Sequence, residues 1–174
     1  QEFPKKCGHM LGRNVVPLED MLAKIRVARD TRDSDEFLII ARTDSRTTLG
    51  LDEALRRADA FAEAGADVLF VESPESEEEM RTICERFDLP LLANMVEGGR
   101  TPVLSRDELQ SLGYKIALFP GSGFLAAGQA LKAVYTDLKE TGSTAGSKVD
   151  FYPFAEFSQL MGFGQVYDFE QKYK

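Results

Sequence analysis

The sequence predicts an α/β fold built around a parallel β-sheet. Four short apolar segments recur along the chain, and each is a continuous run, as in parallel strands that are buried on both faces. Amphipathic segments separate them, which gives the alternating order of strands and helices that is typical of parallel sheets. The chain has 174 residues, 43% of them hydrophobic, so it can build a substantial core. The predicted strands are residues 37–41, 68–71, 91–95 and 115–119.

The segments around these strands have the periodicity of amphipathic helices. One helix has Asp52 as its predicted N-cap and ends at Gly65. Ser105 and Glu108 have the spacing of a capping box, and the helix that they begin leads to Gly113. The predicted helices cover residues 17–31, 52–64, 75–87, 105–112 and 124–140.

Two architectures fit this order of elements: an open doubly wound sheet, or half of a (β/α)8 barrel, which takes about 250 residues when complete. A polar segment rich in glycine and serine follows at residues 141–147, and an aromatic-rich tail occupies residues 151–173. We therefore predict one unit at residues 1–140 and a linker with a helical tail at residues 141–174. The tail requires burial, either on its own chain or on a neighbouring subunit.

Composition excludes several classes of protein. The net charge of −8 argues against binding to nucleic acids and to anionic membranes, which require basic patches. Two cysteines provide no disulfide framework. The sequence contains neither a signal peptide nor a long apolar span, so a cytoplasmic protein is expected.

The segment Lys5-Lys6-Cys7-Gly8-His9 places a thiol, two ammonium groups and the single histidine together. Cationic neighbours favour the thiolate form of a cysteine, which can then exchange protons near neutral pH. Such a cluster is out of place at a frayed terminus, so we expect that the chain lacks an upstream half.

Further polar residues follow the predicted strands, at the ends where parallel α/β folds carry their active sites. Arg42 follows the first strand and Glu72 the second, while Asn94 and Glu97 accompany the third. Pro120 follows the fourth. An arginine and an amide on one rim predict a substrate that bears carboxylates, because the guanidinium group can bind a carboxylate through two hydrogen bonds.

Five motifs in order, KKCGH, IIARTDS, GADVLFVESPE, LLANMVEGG and LFPGS, resemble those of the isocitrate lyase and phosphoenolpyruvate mutase superfamily. The resemblance extends from Gln1 to about Glu140. It implies a (β/α)8 TIM-type barrel of which this chain supplies strands five to eight. It also implies a homo-oligomer, a dimer of dimers in which the eighth helix is exchanged between subunits.

The resemblance also implies roles for single residues. Cys7 matches the general acid of the lyase branch, and His9 and Glu72 match other residues of the catalytic centre. The expected substrate-binding residues are Lys5, Lys6, Gly8, Arg42, Asn94, Glu97 and Pro120. A magnesium ion is the expected cofactor, but its ligands belong to strands that precede this chain, so none is predicted here.

The implied activity is magnesium-dependent cleavage of a 2-hydroxy dicarboxylate or tricarboxylate of the methylated malate or methylisocitrate type. Cys7 favours the lyase branch, because the phosphonomutases typically lack this cysteine. The sequence VEGG favours a dimethylmalate over methylisocitrate, and it keeps open the alternative of carboxyphosphonoenolpyruvate mutase chemistry. A third reading is a truncated, inactive half-barrel that acts only in assembly, for which no metal-dependent turnover is expected.

Overall fold

The structure is a computed structural model that describes residues 1–174, and it forms two compact units, residues 1–123 and 124–174. The elements of the first unit are α1 (Leu18–Thr31), β1 (Ile40–Thr43), α2 (Arg46–Leu49), α3 (Leu51–Ala64), β2 (Val68–Val71), α4 (Glu77–Arg86), β3 (Leu92–Asn94), α5 (Arg106–Leu112) and β4 (Ile116–Leu118). Helix α6 (Ser122–Thr141) begins at the end of this unit, and α7 (Phe154–Leu160) and α8 (Phe163–Lys172) follow in the second.

The strands are parallel and neighbour one another in chain order. Ile40 of β1 lies opposite Val68 of β2, and Leu92 of β3 lies opposite Ile116 of β4. A single parallel bridge between Leu69 and Leu91 joins the two pairs. The predicted α/β class with a parallel sheet is confirmed. Closure into an eight-stranded barrel stays a prediction, because the structure contains four strands and each outer strand pairs on one side only.

The core of the first unit lies between the sheet and its helices. Ala54, Ala58 and Phe61 share one face of α3 and are almost fully buried, as are Met80 and Ile83 of α4. Strand β2 is buried at every position. This packing orders the strand ends from which the polar side chains project.

Three helix ends confirm the predicted capping residues. Ser105 and Glu108 form the predicted capping box at the start of α5. Gly65 and Gly113 end α3 and α5 in the left-handed conformation that glycine adopts without strain.

The predicted N-cap of α3 is wrong. Gly50 occupies the N-cap position, and Asp52 lies inside the first turn. A carboxylate there is still favourable, because the amino end of a helix carries partial positive charge. Helix α4 begins at Glu77 behind an N-cap at Ser76, so Glu75 lies outside it.

The outer strands differ from prediction. Strand β1 begins at Ile40 and not at Phe37, because its pairing with β2 begins opposite Val68. Phe37 and Leu38 lie before the strand and are 69% and 58% exposed. Strand β4 is not buried on both faces, since Leu118 is 42% exposed beside an edge that has no neighbouring strand. The short helix α2 was not predicted, because four residues are too few to show a helical period.

The second unit is helical and apolar on its surface. The tail forms α7 and α8, and Tyr152 packs edge-to-face on Phe157 at 5.7 Å between ring centroids. Several large apolar side chains of this unit are nevertheless exposed, among them Phe124, Tyr135, Phe154, Phe163, Tyr167 and Phe169. No helix of the chain combines the length and hydrophobicity needed to span a bilayer.

Candidate active site

The amino-terminal segment folds over the carboxyl end of β1 and forms a cleft of about 620 Å³. Cys7 and Arg42 both line this cleft, together with Lys5, Lys6 and Asp44. The cysteine is exposed. A thiol and several cationic groups therefore face one space large enough for a small organic acid.

Arg42 is held from two sides. Its Nε and NH2 atoms donate to Asp44 at 2.9 and 2.8 Å, and NH2 also lies 3.0 Å from Glu72 Oε2. Its guanidinium group stacks over the Phe70 ring at 4.8 Å from the centroid. Burial opposes the charge of Arg42, but the hydrogen bond to Asp44 and the charge of Glu72 raise its pKa. The contacts with Asp44 and Glu72 use Nε and NH2 and leave NH1 without a hydrogen bond to the protein.

Asp44 is the anchor of this arginine. Its Oδ1 atom also accepts from Arg13 NH1 at 2.8 Å and from Gln1 Nε2 at 3.0 Å. Burial would raise the pKa of Asp44, but the hydrogen bonds from Arg42, Gln1 and Arg13 hold it below its usual value. The buried carboxylate is therefore charged and tied to two guanidinium groups.

Glu72 lies behind Arg42 and is fully buried. Its oxygens contact Arg42 NH2 at 3.0 Å, His9 Nε2 at 3.1 Å and Asn94 Nδ2 at 3.2 Å. Its acceptor sites thus face protein groups, and Glu72 is not among the residues that line the cleft. The arrangement suits a residue that orients the arginine.

His9 is oriented by the loop after β3. The backbone N–H of Arg100 donates to His9 Nδ1 at 3.0 Å, so the neutral ring carries its proton on Nε2. This atom lies 3.1 Å from Glu72 but is not aligned for a hydrogen bond. Burial lowers the pKa of His9 despite the charge of Glu72, and the cationic Arg13 lowers it further. Gly99 packs against the ring, since a Cβ there would lie 2.6 Å from Nδ1.

Gly8 makes the closest approach of the amino-terminal segment to the strand ends. A Cβ atom at this position would lie 2.5 Å from Arg42 NH2 and 2.9 Å from Glu72 Cδ. Only glycine allows this packing without displacement of the arginine.

Eight of the predicted site residues are therefore brought together: Lys5, Lys6, Cys7, Gly8, His9, Arg42, Glu72 and Asn94. Glu97 is exposed and accepts a hydrogen bond from Ser122, which lowers its pKa. Pro120 is exposed after β4. Lys5 lines the cleft, whereas Lys6 turns its ammonium group to the Gly12 carbonyl at 2.8 Å.

Sequence reasoning missed Arg13, whose side chain is fully buried between Asp44 and Thr47. It lies in an irregular segment without periodicity, so no pattern signalled its burial. The other cysteine, Cys84, packs against the core, as expected for it. Burial raises the pKa of its thiol to about 11.

The carboxylates of this site do not fit a magnesium ion. Magnesium prefers carboxylate oxygens and water, whereas Asp44 and Glu72 already accept from arginines. No group of three His, Cys, Asp or Glu side chains in residues 1–174 is placed to hold a metal ion. These residues are accordingly not assigned as metal ligands.

Comparisons with known proteins are consistent across most of the chain. Residues 6–139 match the family described as phosphoenolpyruvate phosphomutase. The chain is 50% identical to 2,3-dimethylmalate lyase of Eubacterium barkeri, over 99% of this chain and 60% of that protein. It is 39% identical to chloroplastic carboxyvinyl-carboxyphosphonate phosphorylmutase of Arabidopsis thaliana, over 99% of this chain and 52% of that protein.

A solved structure agrees with these relatives. The crystal structure of a 2,3-dimethylmalate lyase, described as a PEP mutase/isocitrate lyase superfamily member, superposes with a TM-score of 0.86 at 31% identity. The match covers 97% of this chain and 56% of that one. The chain thus spans between half and two thirds of the length of these relatives.

Proposed function

Because this chain belongs to the PEP mutase/isocitrate lyase superfamily, as its motifs predict, we propose that the protein is a carbon–carbon lyase that cleaves a 2-hydroxy dicarboxylate. The observation that carries this proposal is the shared cleft, which Cys7 and Arg42 line together. The 50% identity to a 2,3-dimethylmalate lyase supports a methylated malate as the substrate. The products are a 2-oxo acid and a carboxylate.

Arg42 binds one substrate carboxylate through its unpaired NH1, while Asp44 and Glu72 hold the other atoms of the guanidinium group. Transfer of the 2-hydroxyl proton to water lets the C2–C3 bond break, so that C2 becomes the carbonyl carbon of the 2-oxo acid and the electron pair of the broken bond stays on C3 beside the second carboxylate. Cys7 then donates a proton to this carbanion, which completes the saturated carboxylate product. The cationic side chain of Lys5 adds positive charge to the cleft.

In this proposal, His9 and Glu72 serve the reaction by positioning neighbouring side chains. Glu72 contacts the guanidinium group of Arg42, the ring of His9 and the amide of Asn94, and it lies away from the cleft. These contacts therefore fix the arginine that binds substrate in this proposal. Glu97 and Pro120 remain expected substrate contacts at the rim.

A second candidate is carboxyvinyl-carboxyphosphonate phosphorylmutase chemistry, which the 39% identity to the Arabidopsis thaliana protein favours. The same arginine would then bind a carboxylate of the phosphonate substrate. The third candidate is an inactive chain that serves in assembly. The outer edges of β1 and β4 have no neighbouring strand, and this favours the third candidate, because an unpaired strand edge can pair with another chain. The exposed aromatic residues of the second unit support a homo-oligomer.

The test is an assay of the purified protein with added magnesium against 2,3-dimethylmalate, methylisocitrate and the carboxyphosphonate, with release of 2-oxo acid and formation of the phosphonate as the two readouts. We expect 2-oxo acid from dimethylmalate and no phosphonate. Arg42→Lys should raise KM, because lysine cannot reproduce the planar contacts to Asp44 and substrate. Phosphonate formation without 2-oxo acid would establish the second candidate, and no product from any substrate would favour the third.

A further inference from the structure

We propose that Ser73 is a positioning residue that latches residues 5–9, called here the cysteine loop, onto the carboxyl end of β2, so that Cys7 faces Arg42 across the cleft. The proposal rests on the proposed function in one respect, which is the reaction that Cys7 serves. The latch itself is a property of the fold.

The backbone at Ser73 is unusual. It is the only residue other than glycine with a positive φ, at 60°, and it is buried directly after Glu72. Residues with a side chain rarely adopt this conformation, and it persists where the surroundings hold it, often at functional sites. The conformation places the hydroxyl group under the cysteine loop.

The hydroxyl of Ser73 donates to the Gly8 carbonyl at 2.8 Å. The same oxygen lies 3.2 Å from Glu72 Oε1, but a hydroxyl has one proton, and the shorter distance assigns it to Gly8. The Gly8 carbonyl has no other hydrogen-bond partner. The latch is thus one hydrogen bond between the cysteine loop and the residue that follows Glu72.

Gly8 lies between the two functional side chains of the loop. Its contact with Ser73 therefore fixes Cys7 on the cleft side and His9 on the side of Glu72. The missing Cβ lets the loop lie against Arg42, which brings the thiol and the guanidinium group to one cleft. Neither effect requires Ser73 to touch the substrate.

Limited trypsin digestion of the whole protein tests the latch, with cleavage after Lys5 and Lys6 measured by mass spectrometry. Cleavage of a docked segment follows the population of its open form when opening is fast. Ser73→Gly removes the hydroxyl and suits a positive φ, so this variant folds. Ser73→Ala removes the same hydroxyl. Ser45→Ala is the matched control, since its buried hydroxyl bonds to Thr43 at 2.9 Å.

Loss of one hydrogen bond should speed cleavage in the cysteine loop roughly fivefold in both Ser73 variants and leave Ser45→Ala unchanged. With dimethylmalate, kcat should fall by a similar factor while KM stays within twofold of the wild-type value. Wild-type cleavage rates in Ser73→Gly would overturn the latch, as would equal acceleration in Ser45→Ala. Faster cleavage in a protein that turns over no malate would support the latch and contradict only the proposed reaction.

Discussion

At the scale of single residues, the arrangement around Arg42 depends on Asp44. This carboxylate takes two hydrogen bonds from Arg42, two positions earlier in the chain, and one from Arg13, which is 31 positions away. Charge-assisted contacts of this geometry fix orientation more strongly than neutral ones. The protein itself thus fixes the orientation of Arg42.

Asp44→Asn tests this anchor. The amide keeps the shape of the side chain but loses its charge, so Arg42 should be less well fixed and KM for dimethylmalate should rise about tenfold. Steady-state kinetics measure the effect. Asp59→Asn is the control, because its ion pair with Arg86 is on the surface and contributes little. Equal KM values for the two variants would contradict the role of Asp44.

His9 gives a second prediction, on stability against pH. Burial lowers its pKa in the folded protein from the usual 6.5, so the unfolded chain takes up the proton first as the pH falls. The stability associated with neutral His9 is therefore complete above pH 6.5 and decreases below it. Denaturant unfolding between pH 7.5 and 5.5 should show this decrease in the wild type and a smaller one in His9→Gln. Identical pH dependence in both proteins would refute it.

Several site residues were predictable because each follows an apolar run that must become a strand. Arg42, Glu72 and Asn94 stand at such positions, and the parallel sheet brings their side chains together. The burial of Arg13 was not predictable, because it depends on Asp44, which is 31 positions away. The local sequence pattern around Arg13 carries no information about a contact with a residue so distant in the chain.

At the scale of elements, helix α5 begins with the capping box that its sequence predicts. Ser105 accepts from the Glu108 N–H, and the Glu108 carboxylate accepts from the Ser105 N–H at 2.7 Å. The start of α3 was mispredicted, because Gly50 caps it through backbone geometry alone. The predicted limits of the strands were also less accurate than the predicted capping box. Pairing with β2 determines where β1 begins, and the sequence of β1 alone does not show this.

Ser105→Ala should reduce the free energy of unfolding by about 1 kcal/mol, because the substitution leaves a backbone donor of α5 without its partner. Urea denaturation measures the change. Ser111→Ala in the same helix is the control, since its exposed hydroxyl bonds only to the Glu108 carbonyl. A loss in Ser111→Ala as large as in Ser105→Ala would contradict the capping explanation.

At the scale of the whole molecule, the alternation of strands and helices predicted the α/β class correctly, because continuous apolar runs can be buried only in a covered parallel sheet. The exposure of β4 was not predictable from its apolar run, because exposure depends on whether another strand lies beside β4 in the sheet. The aromatic tail forms α7 and α8, and several of its large apolar side chains are exposed.

This exposed aromatic surface predicts self-association. Sedimentation of the wild type should show a mass above that of one chain, and joint replacement of Phe163 and Phe169 by serine should lower it, because apolar contact area is lost. Phe3→Ser, at an exposed phenylalanine outside the tail, is the control. A single-chain mass for the wild type at all concentrations would refute the expectation of a homo-oligomer.

The central claim is that Cys7 donates a proton in a cleavage whose substrate Arg42 binds. The most direct measurement is kcat for 2-oxo acid release from 2,3-dimethylmalate by the wild type, Cys7→Ser and Cys84→Ser. We expect a loss of about 100-fold or more in Cys7→Ser, because a hydroxyl is a much weaker acid than a thiol, and no comparable loss in Cys84→Ser. A wild-type kcat in Cys7→Ser would contradict the claim.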